Sequence, residues 1–546
     1  MNTTNNKKNR TDRTFYAAVA DMTNENAESV TLNSITFKRC LTTTATTFDT
    51  IGSFLKAWVG QGLNDTNTVH TLFFPNLVEV ADTLLAYFIE NGIKYDNQIG
   101  LEFYELRFYV NDYRFEIKDF KKVFDGDVNA MRETFKLTGS DIDVFCKAVE
   151  EYFVAGKYVR FTNASQALYE FKQIMKQQGY AFDSYFPQLA DDIDSLCREV
   201  DKSGWNYVVP KYVDKDIKGE INVFDINSMY AFIQKSAVLP YGKPVEINTT
   251  WPKAPLESQV SFVSFECEFE LKDGFFPFAK TVNSMYSDGH LTYETKGRST
   301  FCMTWTEYQL FLKSYDVVDF VFLKQVTFAG ARGLFDTYVN KYYAEKQEAS
   351  TPFSRQHAKA MLVSLYGKFG AKTRLTNRDP RIDENTGRVV YEKGRDTFVK
   401  AIYAPMTAAI ASIARTYIVS VALMHRDNFV YSDTDAVHLT TKDVKFEVDS
   451  KKLGAFDLEV SGTRFKYIRQ KCYAIQKTDG SLHVKVAGMT DAVKKQVTFE
   501  NFKVGQKFDG LKKMIGRRGG MSIVTTTFEI KAIDDFDYWQ FFKVLL

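Results

Sequence analysis

No CxxC pair and no HxxxH spacing occur among the six Cys and six His of this 546-residue chain. Neither a zinc site nor a disulfide framework is therefore written in it, and reduced thiols in a cytosol-like compartment are the plain expectation. An excess of one charge is missing too. The 70 basic and 68 acidic side chains leave a net charge of +2, which excludes a global electrostatic field; a nucleic-acid partner would have to be met by local basic patches. The opening MNTTNNKKNRTDRT has no apolar stretch, so no secretory signal is expected and the first fifteen or so residues read as a tail. The most membrane-like run, residues 401–424, carries Pro405, Arg415 and recurrent small residues, and reads as a buried helix with no membrane span. Internal repeats and low-complexity blocks are absent.

What is present is globular: 45% hydrophobic and 25% charged residues, rich in Phe and Tyr, in a chain long enough for roughly three to five compact units. Residues 15–165 alternate strand-like runs (TFYAAVADM, HTLFFPNLVEV, LEFYELRFYV) with helical ones (ADTLLAYFIENG, SDIDVFCKAVEEYF), as an α/β domain would. Residues 166–200 read as helical, 237–334 as strands and turns, and 335–368 as one long helical segment. A charged hairpin candidate follows, with turn signals at Asp379-Pro380 and Thr386-Gly387. The last part mixes strands with the basic stretch LKKMIGRRGGMS.

Three short segments could carry chemistry. In FVYSDTDAVHL, Asp433 and Asp435 would share one face of a strand or hairpin edge, because side chains alternate with period two. Two adjacent carboxylates repel unless a cation such as Mg²⁺ lies between them; the plainer alternative is a solvated Asp-Thr-Asp turn. In NVFDINSMYAF, Asp225 ends an apolar strand just before a helix start, a place suited to metal and phosphate; an ordinary helix cap is the alternative. In KAMLVSLYGKFG, Lys359, Val363 and Tyr366 fall on one helical face, so that a cation and a ring could meet a phosphate and a flat base, with Gly367 and Gly370 closing the helix. An amphipathic helix with a solvent lysine is the alternative.

Taken in order, these segments resemble the A, B and C motifs of family B DNA polymerases, and YIRQKCYAI resembles the K-x-Y element with Lys471 and Tyr473. LPYGKPV, CEFELKDG, SLYGKFG and AGMTDAVKKQVTFENFKVG resemble more narrowly the protein-primed polymerases of small tailed bacteriophages. The resemblance covers most of the chain from about residue 60 and is densest over 220–505. It implies an α/β multi-domain right-hand fold. An exonuclease-like, RNase H-like domain would span 1–165, palm 166–236 and 403–495, fingers 335–370 and thumb 496–546. Two insertions are implied, one over 237–334 to grip a priming protein and one over 371–402 for processive, strand-displacing synthesis.

The resemblance further implies two Mg²⁺ (or Mn²⁺) ions on Asp225 and Asp435, with Asp433 as a supporting carboxylate near the primer end. Lys359, Tyr230, Tyr366 and Ser228 would hold the incoming deoxynucleoside triphosphate, and Tyr230 would bar a 2′-hydroxyl. Lys471, Tyr473, Thr434 and Gly367 would contact DNA; Lys512, Lys513, Arg517 and Arg518 form a candidate duplex clamp. The implied partners are template, primer and a terminal priming protein, with the chain a monomer or a 1:1 heterodimer in the host cytoplasm. Departures are Val363 where the family usually has Asn, Ala436 where it has Ser, and DKSG (201–204) in place of Tyr-x-Gly-Gly, which puts coordination between synthesis and editing in doubt. The nuclease carboxylates look lost: Val19, Val80, Val144 and Ala148 stand at their positions and only Asp21 survives, while Glu79, Asp82 and Asp143 are expected to point elsewhere. The resemblance thus implies an exonuclease fold kept as a scaffold for single-stranded DNA or the priming protein, with little or no nuclease activity. Two other readings compete: a non-catalytic DNA- or protein-binding relative, and another palm-type polymerase such as a reverse transcriptase.

Overall fold

The computed structural model describes residues 13–26, 29–99, 103–202, 204–280, 291–385, 387–515 and 521–532. Arg517 and Arg518 of the expected clamp, Ser203 of the eroded linker and the turn residue Thr386 lie outside the described residues.

The N-terminal unit is built on a seven-stranded mixed sheet. Its three central strands, Arg13–Asn26, Val69–Phe74 and Tyr113–Asp119, run parallel and the flanking ones antiparallel. The apolar alternation of each strand splits between two faces. Tyr16, Ala18, Leu72, Phe74 and Ile117 pack with the helices Ile51–Leu63 and Ala81–Glu90, whereas Ala17 and Phe73 pack with the helix Asp141–Val149.

A second seven-stranded sheet, wholly antiparallel, positions the candidate site. Its order is Leu482–Val486, Cys472–Lys477, Phe456–Arg469, Ile217–Ile226, Ala436–Leu439, Phe429–Asp433 and Asn206–Val208. The helix Ala404–Met424 is long and apolar enough to cross a membrane, yet most of it is buried within the chain. Its Arg415 is 1% exposed and forms a two-pronged pair with Glu307, at 3.0 and 2.9 Å, besides donating to the Val200 carbonyl. A charge this deep persists only when fully bonded, so the arginine marks a core helix.

Residues 237–334 carry a four-stranded antiparallel sheet, ordered Leu239–Glu246, Tyr315–Ala331, Gln259–Leu271 and Ser299–Thr304. The expected long helix over 335–368 is two helices, Asp336–Gln347 and Pro352–Phe369. The break follows from Thr351, whose hydroxyl caps the second helix by accepting from Ser354 N, and from Pro352 in its first turn. The helical stretch expected over 166–200 is likewise three helices, the first beginning at Asn163.

The hairpin candidate forms, but Asp379-Pro380 is not its turn. Pro380 sits inside the strand Arg374–Ile382, opposite Tyr391 of Val389–Phe398. A two-stranded ribbon leaves each strand a free edge, where a missing N–H costs nothing. The reversal lies between Ile382 and Val389, with Gly387 at φ 65°. This hairpin is docked on the N-terminal unit. Tyr391, 3% exposed, sits in the same core as Trp58 and Phe88, and its hydroxyl donates to Asp82 Oδ1 at 2.8 Å. Truncating a buried aromatic costs about 3–5 kcal/mol, so Tyr391→Ala should raise the undocked fraction roughly a hundredfold or more. Limited proteolysis should then cut within 374–398 far faster than in the wild-type chain, while Tyr391→Phe, which keeps the ring, should cut at an intermediate rate.

Candidate active site

Three strand ends of the second sheet converge. Asp225, next to last in Ile217–Ile226, pairs with Ala436 on one side and Asp457 on the other. Asp433 ends its strand and pairs with Ala436, so Thr434 and Asp435 are the two residues of a tight hairpin turn. The expectation that Asp433 and Asp435 share a strand face is therefore corrected: Asp435 sits on the turn, because the chain reverses there, and both the metal-site and the turn readings describe the same segment. The turn is pinned by Asp435 N donating to Asp433 O at 2.9 Å and by Ile226 N donating to Asp435 O at 3.0 Å. Thr434 adopts φ 69°, a conformation that a β-branched residue holds only under constraint.

The carboxylates are not equivalent. Asp433 has its own cation, Lys471 Nζ at 2.6 Å. Lys471 itself sits at φ 55°, its backbone N–H donating to the Tyr431 hydroxyl at 2.9 Å. Tyr431 is packed among His438, Tyr467 and Tyr473, and His438 Nδ1 meets the Tyr467 hydroxyl at 2.6 Å. Tyr473 is 3% exposed, so its ring buttresses this aromatic group and has no open face. Asp225 and Asp435, half-buried, have no such partner among the described contacts. Burial first, then the charges of Asp435, Glu459 and Asp457, push Asp225 up to about 8, and Lys359 opposes them. Burial likewise pushes Asp435 up to about 6, with Asp433 and Glu459 adding to it, against the hydrogen bond from its own backbone N–H and the charge of Lys471.

Facing these acids is the helix Pro352–Phe369. Lys359 is exposed on it and near enough to pull on Asp225. Tyr366 stacks on Tyr230 with centroids 4.1 Å apart and planes at 12°. Val363 is exposed on the same face. Gly367 does not close the helix; it lies inside, with open space where a side chain would be, and Gly370 is the cap. Ser228 caps the helix Met229–Ser236 at φ 56° and accepts from Lys346 Nζ at 3.0 Å. Burial, then Arg355 and Lys359, hold the Lys346 ammonium below its usual range, while Asp225 favours its charge.

Lys346, Arg355, Asp457 and Glu459 were not singled out in the sequence. Lys346 and Arg355 belong to no motif, and only the folded helix pair brings them to the acids. Asp457 and Glu459 stand two apart in FDLEV, a spacing that could have flagged them. Glu459 lies at the irregularity between Leu458 and Val460, as bulges beside active sites often do.

The N-terminal unit holds a cleft of about 300 Å³ lined by Val19, Phe74, Asn76, Glu79, Val80, Lys121 and Asp127, among others. The expectation that Glu79 points elsewhere is corrected: it lines this cleft beside Val19 and Val80, because it ends the short turn Leu77–Glu79, and it accepts from Asn76; Asp127, the other lining carboxylate, caps the helix Val128–Phe135 through Ala130 N. Asp21, on the surface, accepts from Asn33; Asp143 is bound by Lys38 at 2.6 Å, and Asp82 by Tyr391. Val144 and Ala148 are buried in the core.

Two half-buried carboxylates with no cationic side chain of their own among the described contacts are thus faced by a lysine and two stacked tyrosines. The family described as DNA polymerase type B, organellar and viral, matches residues 88–451. The DNA polymerase of Streptococcus phage Cp-1 is 29% identical over 85% of this chain and 88% of its own length. That of Bacillus phage phi29 is 32% identical over 76% of this chain and 77% of its own. The structure of phi29 DNA polymerase with primer-template DNA and incoming nucleotide superposes with a TM-score of 0.86 at 26% identity, over 95% of this chain and all of that one. The chain belongs to the organellar and viral type B DNA polymerases. It is a DNA-directed DNA polymerase with the right-hand fold, a family that depends on divalent metal.

Because the folded, metal-free state raises both pKa values above the ordinary 3.8, it binds more protons than the unfolded chain between about pH 4 and 8. Stability from this site is thus lost as pH rises through that window, and a divalent ion bound between the two carboxylates would offset the loss. In chelator, the unfolding midpoint should fall from pH 5.5 to 8.5. The midpoint gain on adding Mg²⁺ should be larger at pH 8 than at pH 5.5, and Asp225→Asn with Asp435→Asn should abolish that difference.

Proposed function

We propose that this polymerase starts synthesis on a hydroxyl of a terminal priming protein, displaces the non-template strand as it copies, and acts in the host cytoplasm on a phage-like linear genome. The likeness to the Cp-1 and phi29 polymerases across most of both chains supports this reading. On it, residues 237–334 grip the priming protein and the hairpin within 371–402 holds the template.

The observation that carries the catalytic reading is the pairing of Asp225 with Asp435 without a cation of their own. Oxygen donors, like charge and partial burial suit two Mg²⁺ or Mn²⁺ ions. Such ions would acidify the attacking 3′-hydroxyl and stabilise the charge that builds on the phosphate. Asp225 and Asp435 hold them, and Asp433 orients Lys471 toward the primer-strand phosphate. Lys359, joined by Lys346 and Arg355, meets the triphosphate. The Tyr230–Tyr366 stack walls the sugar and base and leaves no room for a 2′-hydroxyl. Gly367, open on its outer side, and Thr434 lie where DNA passes; Ser228 orients Lys346. Val19 and Val80 line the N-terminal cleft where the family resemblance implies carboxylates, which supports a domain with little or no nuclease activity that still holds a single strand or the priming protein.

One labelled-primer gel tests both halves. With deoxynucleotides and Mg²⁺ the wild-type chain should extend the primer, and Asp225→Asn should lose about a thousandfold or more, equivalent to about 4 kcal/mol of transition-state stabilisation, while still binding the duplex. Without deoxynucleotides the primer should stay intact. Shortening of its 3′ end, abolished by Asp21→Asn, would overturn the nuclease reading, and an active Asp225→Asn would overturn the site.

A further inference from the structure

The segment that leads from the helix Asp191–Val200 into the second sheet meets the catalytic turn at one point. A Cβ on Gly204 would stand 2.5 Å from Thr434 Cγ2, 2.7 Å from its Oγ1 and 2.9 Å from its Cβ. Gly204 is not among the residues of positive φ, so its backbone does not call for glycine; only the space does. The next residues complete a cradle. Trp205 O accepts from Thr434 N at 3.0 Å and from Ser432 Oγ at 3.3 Å, and Asn206 Oδ1 faces Thr434 Oγ1 at 3.4 Å. Asn206 also pairs with Asp433 in the sheet. The cradle is itself rigid: Trp205 is fully buried, stacked on Tyr207 and Phe429 with planes at 16° and 11°, and bonded through Nε1 to Pro277 O at 2.9 Å.

We infer that Gly204 is a positioning residue for the polymerase reaction: its missing side chain is the notch into which Thr434 fits, and this fit fixes the turn that presents Asp435. The strained threonine has a carboxylate on each side, Asp433 before it and Asp435 after it. Any shift of Thr434 by an ångström is passed to both through a two-residue turn that has no slack. The inference rests on the reading of Asp435 as a metal-holding carboxylate. It gives the DKSG segment a role in synthesis itself, separate from any coordination with editing.

The test is a double-mutant cycle on the full chain. Gly204→Ala is compared with wild type, and Gly204→Ala/Thr434→Gly with Thr434→Gly, which removes all three clashing atoms and accepts the positive φ. Misplacing a reacting group by about 1 Å costs on the order of a hundredfold. Gly204→Ala should therefore lower kcat for primer extension at least a hundredfold in the threonine background, with the nucleotide KM and the primer-template Kd within about threefold of wild type. In the glycine background the same substitution should cost less than about threefold. If Gly204→Ala alone does not fold, the double variant must still fold and extend primers; failure of both overturns the inference. So does an equal loss in the two backgrounds, or a loss expressed in duplex Kd, which would make residue 204 a DNA contact. An active Asp435→Asn would instead fell the underlying site reading, whichever way the cycle came out.

Discussion

Everything in the catalytic half is arranged around two carboxylates that repel. Asp225 and Asp435 are brought together half-buried, and burial acts with the nearby acids to hold both protonated further up the pH scale than free aspartates. A fold gains nothing from such a pair in isolation, since like charges in a low dielectric raise its free energy. The surrounding structure must therefore over-determine the geometry. It does so with a strand in the middle of an antiparallel sheet for Asp225 and a pinned, strained turn for Asp435. Asp433, by contrast, has its charge met by Lys471, so it shapes the site without adding an equal demand for a cation.

The support extends outward in layers. Lys471 points at Asp433 because its own backbone sits in the left-handed region, held by the Tyr431 hydroxyl. Tyr431 is fixed in turn by His438, Tyr467 and Tyr473. His438 is fully buried, and burial, with the nearby His483, holds it neutral down to about pH 3. The ring therefore acts as an uncharged acceptor or donor to Tyr467, and Lys471 is insulated from the titration of its own scaffold. On the side of Lys359 the Tyr230 and Tyr366 rings are stacked with planes parallel within 12°, a wall made from rings on two different helices.

What could be read from the sequence was what is local. Asp225 before NSMY, Lys359 and Tyr366 in one helical turn pattern, and the Asp-Thr-Asp turn each sit within a dozen residues, where periodicity and turn chemistry act. The buried character of 401–424 was legible for the same reason, since Arg415 and Pro405 stand inside the run. What escaped was set by distance along the chain or by competition between signals. Lys346 reaches Ser228 across 118 positions, and Tyr391 reaches Asp82 across 309; no window holds both partners. Asp379-Pro380 looked like a turn, but a two-stranded ribbon tolerates proline on its open edge, and Gly387 supplied the positive φ that the reversal needed. The sequence marked Gly204 only as the end of DKSG, in place of Tyr-x-Gly-Gly; its contact with Thr434, 230 residues further on, lay outside any local window.

The same long-range packing gives the N-terminal unit a structural role that does not depend on the proposed absence of nuclease chemistry. Val19 and Val80 line its cleft where carboxylates would be needed, yet the domain's other face is welded to the polymerase. Phe135 packs tilted and Tyr152 edge-on against Phe353, with centroids 4.7 and 5.0 Å apart, at the start of the helix that carries Lys359 and Tyr366. Tyr158 packs edge-on against His357 one turn later. Each such ring pair contributes on the order of a kilocalorie per mole beyond its area, and together they hold the first turns of that helix against the N-terminal unit. Loss of metal ligands from a cleft leaves these contacts untouched, whereas loss of the domain would strip one side of that helix bare.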